Sequence, residues 1–329
     1  MNKKVAIVGY GWVGKSMHKL FPEALIYSRD RDLKGIRYSN SHPSSYPDDA
    51  EDWEDHKKGY QNKINKCDVA FVCVPTPNMD ACDCNCHYGV ASSCLITDVG
   101  NCGNCDMPYF SKGKEGKLDT LIVEECIKWL DTPLIVIRST VNPGDCDNWE
   151  QKYSKDIVMQ PEYLGETPNH PLLDTVNNPF LIMGGRKVYS RSRKLIELYQ
   201  TVYNANVNIR QVTNYEAEII KLSENRAIAF KVAQCQELYD VCEKAGVDYY
   251  TIREAVYSDD PRFNLWWSFV FPDKRGFNSK CIPKDIYAWC AWAESCGYEP
   301  KITRAILEKN KEWIKVVINN ANIRKSQRS

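Results

Sequence analysis

Lys4-Val5-Ala6-Ile7-Val8-Gly9-Tyr10-Gly11-Trp12-Val13-Gly14 is an apolar run that breaks into a glycine-punctuated turn. The run reads as a buried strand. The spacing of Gly9, Gly11 and Gly14 lets a backbone approach a pyrophosphate at the N-terminus of the helix that follows. That helix is predicted from about Lys15 to Phe21, with Pro22 stopping it, and Ala24-Leu25-Ile26-Tyr27 reads as the next strand. Trp12 and Val13 belong to the turn, and Ser28, Arg29 and Asp30 follow the second strand, where a dinucleotide site reads the adenosine ribose. Asp30 on the ribose hydroxyls suits NAD, whereas Ser28 with Arg29 suits the 2′-phosphate of NADP. The reading is NAD, with NADP left open.

Outward from this unit, Val69–Val74, Leu134–Ile137, Ile157–Met159, Phe180–Met183 and Val207–Ile209 are further apolar strand candidates, with a helix predicted over Asp119–Leu130. Apolar strands alternating with helices imply a parallel sheet covered on both faces. From Asn214 the texture changes to helix: Tyr215 to about Ala245, Tyr250–Val256, Asp285–Ser295 and Ile302 to about Asn319. The expected fold is therefore α/β, a Rossmann-type doubly wound parallel sheet over 1–206 followed by an all-helical domain over 207–300. A C-terminal helix and basic tail occupy 301–329. Two insertions interrupt the first domain: a polar one at 38–62, read as a solvated surface segment, and a Cys-rich one at 79–113.

Hydrophobic residues make up 43% of the 329, charged residues 26%, and the formal net charge is zero. That is an ordinary globular composition, with no electrostatic case for nucleic acid or an anionic membrane. With neither a membrane-length apolar run nor a signal peptide, the expected location is cytoplasmic. Fifteen cysteines are many for such a compartment, and six of them, Cys82, Cys84, Cys86, Cys94, Cys102 and Cys105, crowd one Gly-punctuated insertion beside His87. Paired soft ligands suit a structural zinc, with reduced thiols and disulfides as the alternatives.

Chemistry-bearing residues recur later in the chain. Lys221 and Asn225 are four apart, so on a helix they share a face. Glu218 falls beside Lys221, where a solvent-exposed ion pair is the plain alternative. Cys281-Ile282-Pro283-Lys284-Asp285 sets a thiol ahead of a helix that Pro283 places after a loop. Cys281 is either a nucleophile or a small core residue, and Asp285 either a site carboxylate or a cap.

Together these segments resemble the UDP-glucose/GDP-mannose dehydrogenase family. The matches run in order through the Gly9–Gly14 turn, Val74-Pro75-Thr76-Pro77, Arg138-Ser139-Thr140-Val141-Asn142-Pro143-Gly144, Pro161-Glu162-Tyr163-Leu164-Gly165-Glu166, Glu216–Lys221 with Asn225, and Cys281–Asp285. The resemblance implies NAD-dependent oxidation of the C6 alcohol of a nucleotide sugar to a carboxylate, with UDP-glucose as the first candidate. GDP-mannose, a UDP-N-acetylhexosamine, or a binding module that has lost turnover are the alternatives. It implies that Cys281 forms the thiohemiacetal and thioester, Lys221 and Asn225 hold oxyanions, and Asp285 and Thr140 serve water. It assigns acid–base work to Glu162 or Glu166, and adds Val74, Pro75, Thr76, Ser139 and Thr140 to the cofactor set. It also implies a homodimer through the long middle helix.

Two departures stand out. Asn278-Ser279 stand where the family carries Gly-Gly before the cysteine, and the family's C-terminal nucleotide-binding domain has no counterpart in these residues. The aromatic run Phe263, Trp266, Trp267, Phe269, Phe271 offers either stacking on a base or interface and core packing.

Overall fold

The computed structural model describes residues 3–28, 52–78, 116–165, 170, 172, 176, 178–185, 189–203, 207–279 and 281–326, with the backbone alone described over 52–57, at 189 and over 316–326. These fall into two compact units, residues 1–77 with 119–221 and residues 78–118 with 222–329.

In the first unit β1 (Val5–Val8), β2 (Leu25–Tyr27), β3 (Val69–Val72), β4 (Ile135–Ile137) and β5 (Ile157–Met159) form one sheet in the order β2-β1-β3-β4-β5. Every pairing is parallel. β6 (Phe180–Met183) and β7 (Asn208–Gln211) form a separate parallel pair. Alternation along the strands feeds two cores. Ala6, Val8, Ala70, Val72, Ile135 and Ile137 point into one, with Ile64, Ile127 and Trp149. Val5, Ile7, Val69, Phe71 and Val136 point into the other, with Met17, Leu20, Leu195 and Tyr199. A sheet buried on both faces needs helices on both, and the two cores supply them. α1 (Trp12–Leu20) and α5 (Tyr189–Tyr199) cover one face; α2 (Asp52–Ile64), α3 (Leu121–Trp129) and α4 (Asp145–Tyr153) cover the other. The strand order reverses between β1 and β3, and a crevice at such a switch point is where ligands bind in open parallel sheets.

The second unit is helical. It takes α6 (Asn214–Ala245) from Leu222 onward, α7 (Tyr249–Glu254) continuing into a π-helical turn at Ala255–Asp259, α8 (Ile282–Ser295) and α9 (Lys301–Ser326). Ala229, Phe277, Ile286, Cys290 and Leu307 make one of its cores, and Cys235, Tyr239, Tyr249, Tyr257 and Val270 another.

Several expectations change. The units divide between Lys221 and Leu222, beyond the boundary expected at 206/207, because β7 pairs with β6; α9 belongs to the second unit. The polar segment at 38–62 contributes α2, since Tyr60 and Ile64, one turn apart, pack on the sheet beneath a charged exterior. α8 begins at Ile282, with Pro283 in its first turn, where a missing N–H costs nothing. α4 and α5 had no forecast.

Candidate active site

The turn after β1 has the form a dinucleotide requires. Gly9 has φ +92°, and a Cβ there would lie 2.5 Å from the Cys73 carbonyl; one at Gly14 would lie 2.1 Å from the Gly9 carbonyl. Gly9 thus lets the turn pass close to the segment after β3, and Gly14 lets α1 pack on that turn. Gly11 differs: it is the N-cap of α1, no side chain caps it, and a Cβ would project into open space. The first turn of α1 carries no acid, so its N–H groups face that space with their positive dipole end. The cradle fits a pyrophosphate. Trp12, half exposed, borders it. Ser28 and Thr76 are buried, and the Ser139 hydroxyl donates to the Val74 carbonyl at 2.7 Å, joining the segments after β3 and β4. Val13, Val74 and Thr140 are half-buried and Pro75 is exposed. Arg29, Asp30 and Glu166 lie outside the described residues, as do Cys82, Cys84, Cys86, Cys94, Cys102 and Cys105; among the described residues no group of three metal-ligating side chains occurs.

At the ends of β4 and β5 the first unit buries several charges. Glu162 is paired with Arg138, and its other oxygen accepts the N–H groups of Tyr163 at 2.7 Å and Leu164 at 3.0 Å. Burial opposes the Arg138 charge, but Glu162, Tyr199, Cys73 and Tyr203 together outweigh it and raise the guanidinium pKa. Burial pushes the adjacent Cys73 thiol up to about 12, so it stays protonated. Lys221 is buried with its Nζ 5.1 Å from the centre of the Tyr163 ring, one residue past Glu162. Glu218 is not the exposed partner of Lys221 that the spacing suggested. It is fully buried and accepts the backbone N–H of Gly144 at 2.5 Å and of Cys146 at 2.9 Å.

The second unit holds the thiol. Cys281 is exposed at the N-cap of α8, where the helix dipole favours a thiolate. Asp285, one turn on, is 1% exposed and accepts the Asn225 amide at 2.5 Å and the Lys284 ammonium at 2.7 Å. Its carboxylate is spent on side chains of two helices, so it is not a cap. The segment before the thiol is anchored from α9, where buried Asn310 accepts the Phe277 N–H at 2.8 Å and donates to the Phe277 carbonyl at 2.9 Å. Asn278 and Ser279, the residues in place of glycines, are exposed, and the Ser279 hydroxyl accepts the Ile282 N–H at 3.2 Å. Phe263, Trp266, Phe269 and Phe271 are about half exposed, which removes core packing as their account.

Residues 54–203 match the NAD binding domain of the UDP-glucose/GDP-mannose dehydrogenase family, and residues 215–312 match its central domain. The chain belongs to that family. Within it, a UDP-glucose 6-dehydrogenase of Rickettsia typhi is 25% identical over 257 residues, 77% of this chain and 51% of the relative. UDP-glucose 6-dehydrogenase AglM of Haloferax volcanii is 24% identical over 330 residues, 93% of this chain and 69% of the relative. The chain spans about half the length of the first of these. A UDP-glucose dehydrogenase structure from Pyrobaculum islandicum superposes with a TM-score of 0.66 at 20% identity, covering 95% of this chain and 68% of that one. A UDP-D-ManNAc dehydrogenase from Pyrococcus horikoshii gives 0.63 at 17% identity, over 94% and 68%. Both establish the fold. The family's central-domain match takes in Lys221, Asn225, Cys281, Asp285 and also Asn310, an anchor that sequence reading missed because it sits among charged residues of α9. Among the described residues no helix is long and apolar enough to cross a membrane.

Proposed function

We propose that this member of the family oxidises the C6 alcohol of a nucleotide sugar to the carboxylate through Cys281, with UDP-glucose as the first substrate and NAD preferred over NADP. The observation that carries the reading is the exposed Cys281 thiol at the N-terminus of α8, one turn before a buried Asp285 bound to Asn225. NAD, held on the Gly9–Gly14 turn and the Val74–Thr76 and Ser139–Thr140 segments, would supply the hydride acceptor for both oxidations. The alcohol proton passes to a carboxylate of the Pro161–Glu166 segment, Glu162 or Glu166. The Cys281 thiolate adds to the aldehyde carbon, and Lys221 and Asn225 hold the resulting oxyanion. Loss of the second hydride turns this adduct into a thioester. Water, positioned by Thr140 and Asp285, cleaves it, returning the thiolate and releasing the carboxylate. A homodimer through α6 forms part of the proposal.

The exposed Asn278 and Ser279 beside the thiol favour a second substrate reading, another sugar nucleotide such as GDP-mannose or a UDP-N-acetylhexosamine. Absorbance of reduced nicotinamide across a panel of these substrates, with carboxylate product counted by mass, tests both. The expected result is two reduced cofactors per carboxylate, with Cys281→Ser releasing almost no acid. One reduced cofactor per substrate, or undiminished acid from Cys281→Ser, refutes the thioester route.

A further inference from the structure

Helix α4 starts without a cap of its own. Its N-cap, Gly144, has φ +100° and follows Pro143, a backbone conformation in which a Ser, Asp or Asn cap would be strained. The Asp145 carboxylate is turned back to the Asn142 backbone N–H and side-chain amide, both at 3.0 Å. The N–H groups of Gly144 and Cys146 are met instead by Glu218, more than seventy residues on, one oxygen to each. Glu218 has no exposed surface. Four residues before Gly144 stands Thr140, and three after Glu218 stands Lys221. Two further residues fix the same stretch of α6 within this unit. The Asn214 side chain accepts the Met159 N–H at 2.8 Å and donates to the Ile157 carbonyl at 3.2 Å, and Lys221 lies over the Tyr163 ring.

We propose that Glu218 is a positioning residue for the oxidation: its two carboxylate oxygens tie the Thr140-bearing loop to the turn of α6 that presents Lys221. The proposal rests on the functional reading above. A carboxylate can accept two N–H groups on separate oxygens, and an amide or a protonated carboxyl cannot do so equally well, because one of its two heteroatoms becomes a donor. The tie is therefore sensitive to protonation. Burial raises the Glu218 pKa to about 8, although the two backbone N–H bonds and the Cys146 side chain pull it down. The titratable groups acting on it are Asp145 and Cys146 of α4; the Asp145 charge adds to the rise, and the Cys146 thiol is itself held well above its usual value, chiefly by burial.

The test uses the full chain and two variants. Glu218→Gln keeps size and loses one acceptor; Glu218→Asp keeps the charge on a shorter arm. Hydrogen exchange of the 139–146 backbone is expected to accelerate in Glu218→Gln. Turnover at saturating NAD and sugar nucleotide should fall at least about tenfold, the order expected when a reacting group is misplaced by a fraction of an ångström, with KM little changed. The native rise in turnover with a midpoint near pH 8 should vanish in Glu218→Gln and persist, at lower amplitude, in Glu218→Asp. Unchanged exchange at 139–146, or full turnover with the rise intact, overturns the proposal. Exchange needs no substrate. A native chain that turns over no sugar nucleotide, while exchange accelerates in Glu218→Gln, supports the tie and overturns only the functional reading.

Discussion

Asn310→Ala tests how the segment leading to Cys281 is held. Asn310 and Phe277 are 5% and 4% exposed, and the Asn310 side chain meets both the N–H and the carbonyl of Phe277. Truncation to Ala strands both groups, at about 1–3 kcal/mol each once water cannot reach them. The expected loss is about 3 kcal/mol in a urea titration, with about a hundredfold faster exchange of the Phe277 amide if opening is local. A second substitution separates this effect from a general loss of packing. Gly276 has φ +76°, and a Cβ there would lie 2.4 Å from the Asn310 side-chain oxygen. Gly276→Ala alone thus combines backbone strain of about 1–2 kcal/mol with a collision. In the Asn310→Ala background the collision is gone and only the strain is left. The two substitutions should therefore cost less together than the sum of each alone. An Asn310→Ala effect within about 0.5 kcal/mol of zero, or strictly additive costs, refutes this account of the anchor.

Two other measurements probe the buried charges of the first unit. Arg138→Met leaves the Glu162 carboxylate buried without its counter-ion and should destabilise the chain by about 3–5 kcal/mol in urea, with Arg138→Met/Glu162→Gln recovering part of the loss; equal losses in both would refute the pairing as the cause. Because the folded Glu218 pKa stands at about 8 against an ordinary 4.5, its stabilising contribution is full below about pH 4.5 and is lost as pH rises through about 8. Urea titrations between pH 5 and 8 should show native stability falling relative to Glu218→Gln, by up to about 1.4 kcal/mol per pH unit, and parallel curves would refute it.

The sheet was legible because its strands are continuous apolar runs, which only a sheet buried on both faces can use, and the five strands of that sheet lie where those runs predict. The dinucleotide turn was legible because Gly9 and Gly14 sit where a side chain would strike backbone. α2 was hidden because, among its described side chains, Tyr60 and Ile64 are the ones that pack on the sheet, within a stretch rich in charged and polar residues. Asn310 was hidden for a different reason. Its role depends on a bidentate contact with backbone thirty-three residues away, and backbone leaves no trace in residue type.

Glu218 and Lys221 show where spacing misleads. At three residues apart on α6 they are neighbours on the helix surface, and the usual partner for a surface glutamate is the lysine beside it. That inference assumes the helix face is wet. The first turns of α6 carry Ala217 into the sheet's core, with no exposed surface, and Glu218, one step on, is drawn under cover with it, while Glu216, one step back, stays exposed. A buried carboxylate cannot be satisfied by one lysine; it needs several donors, and the uncapped start of α4 has them to give. Lys221, relieved of that pairing, lies against an aromatic ring beside Glu162. An ammonium group not neutralised by its helical neighbour is the form in which a lysine is of use to a developing oxyanion. The same burial that removes Glu218 from solvent thus leaves Lys221 available for the chemistry assigned to it.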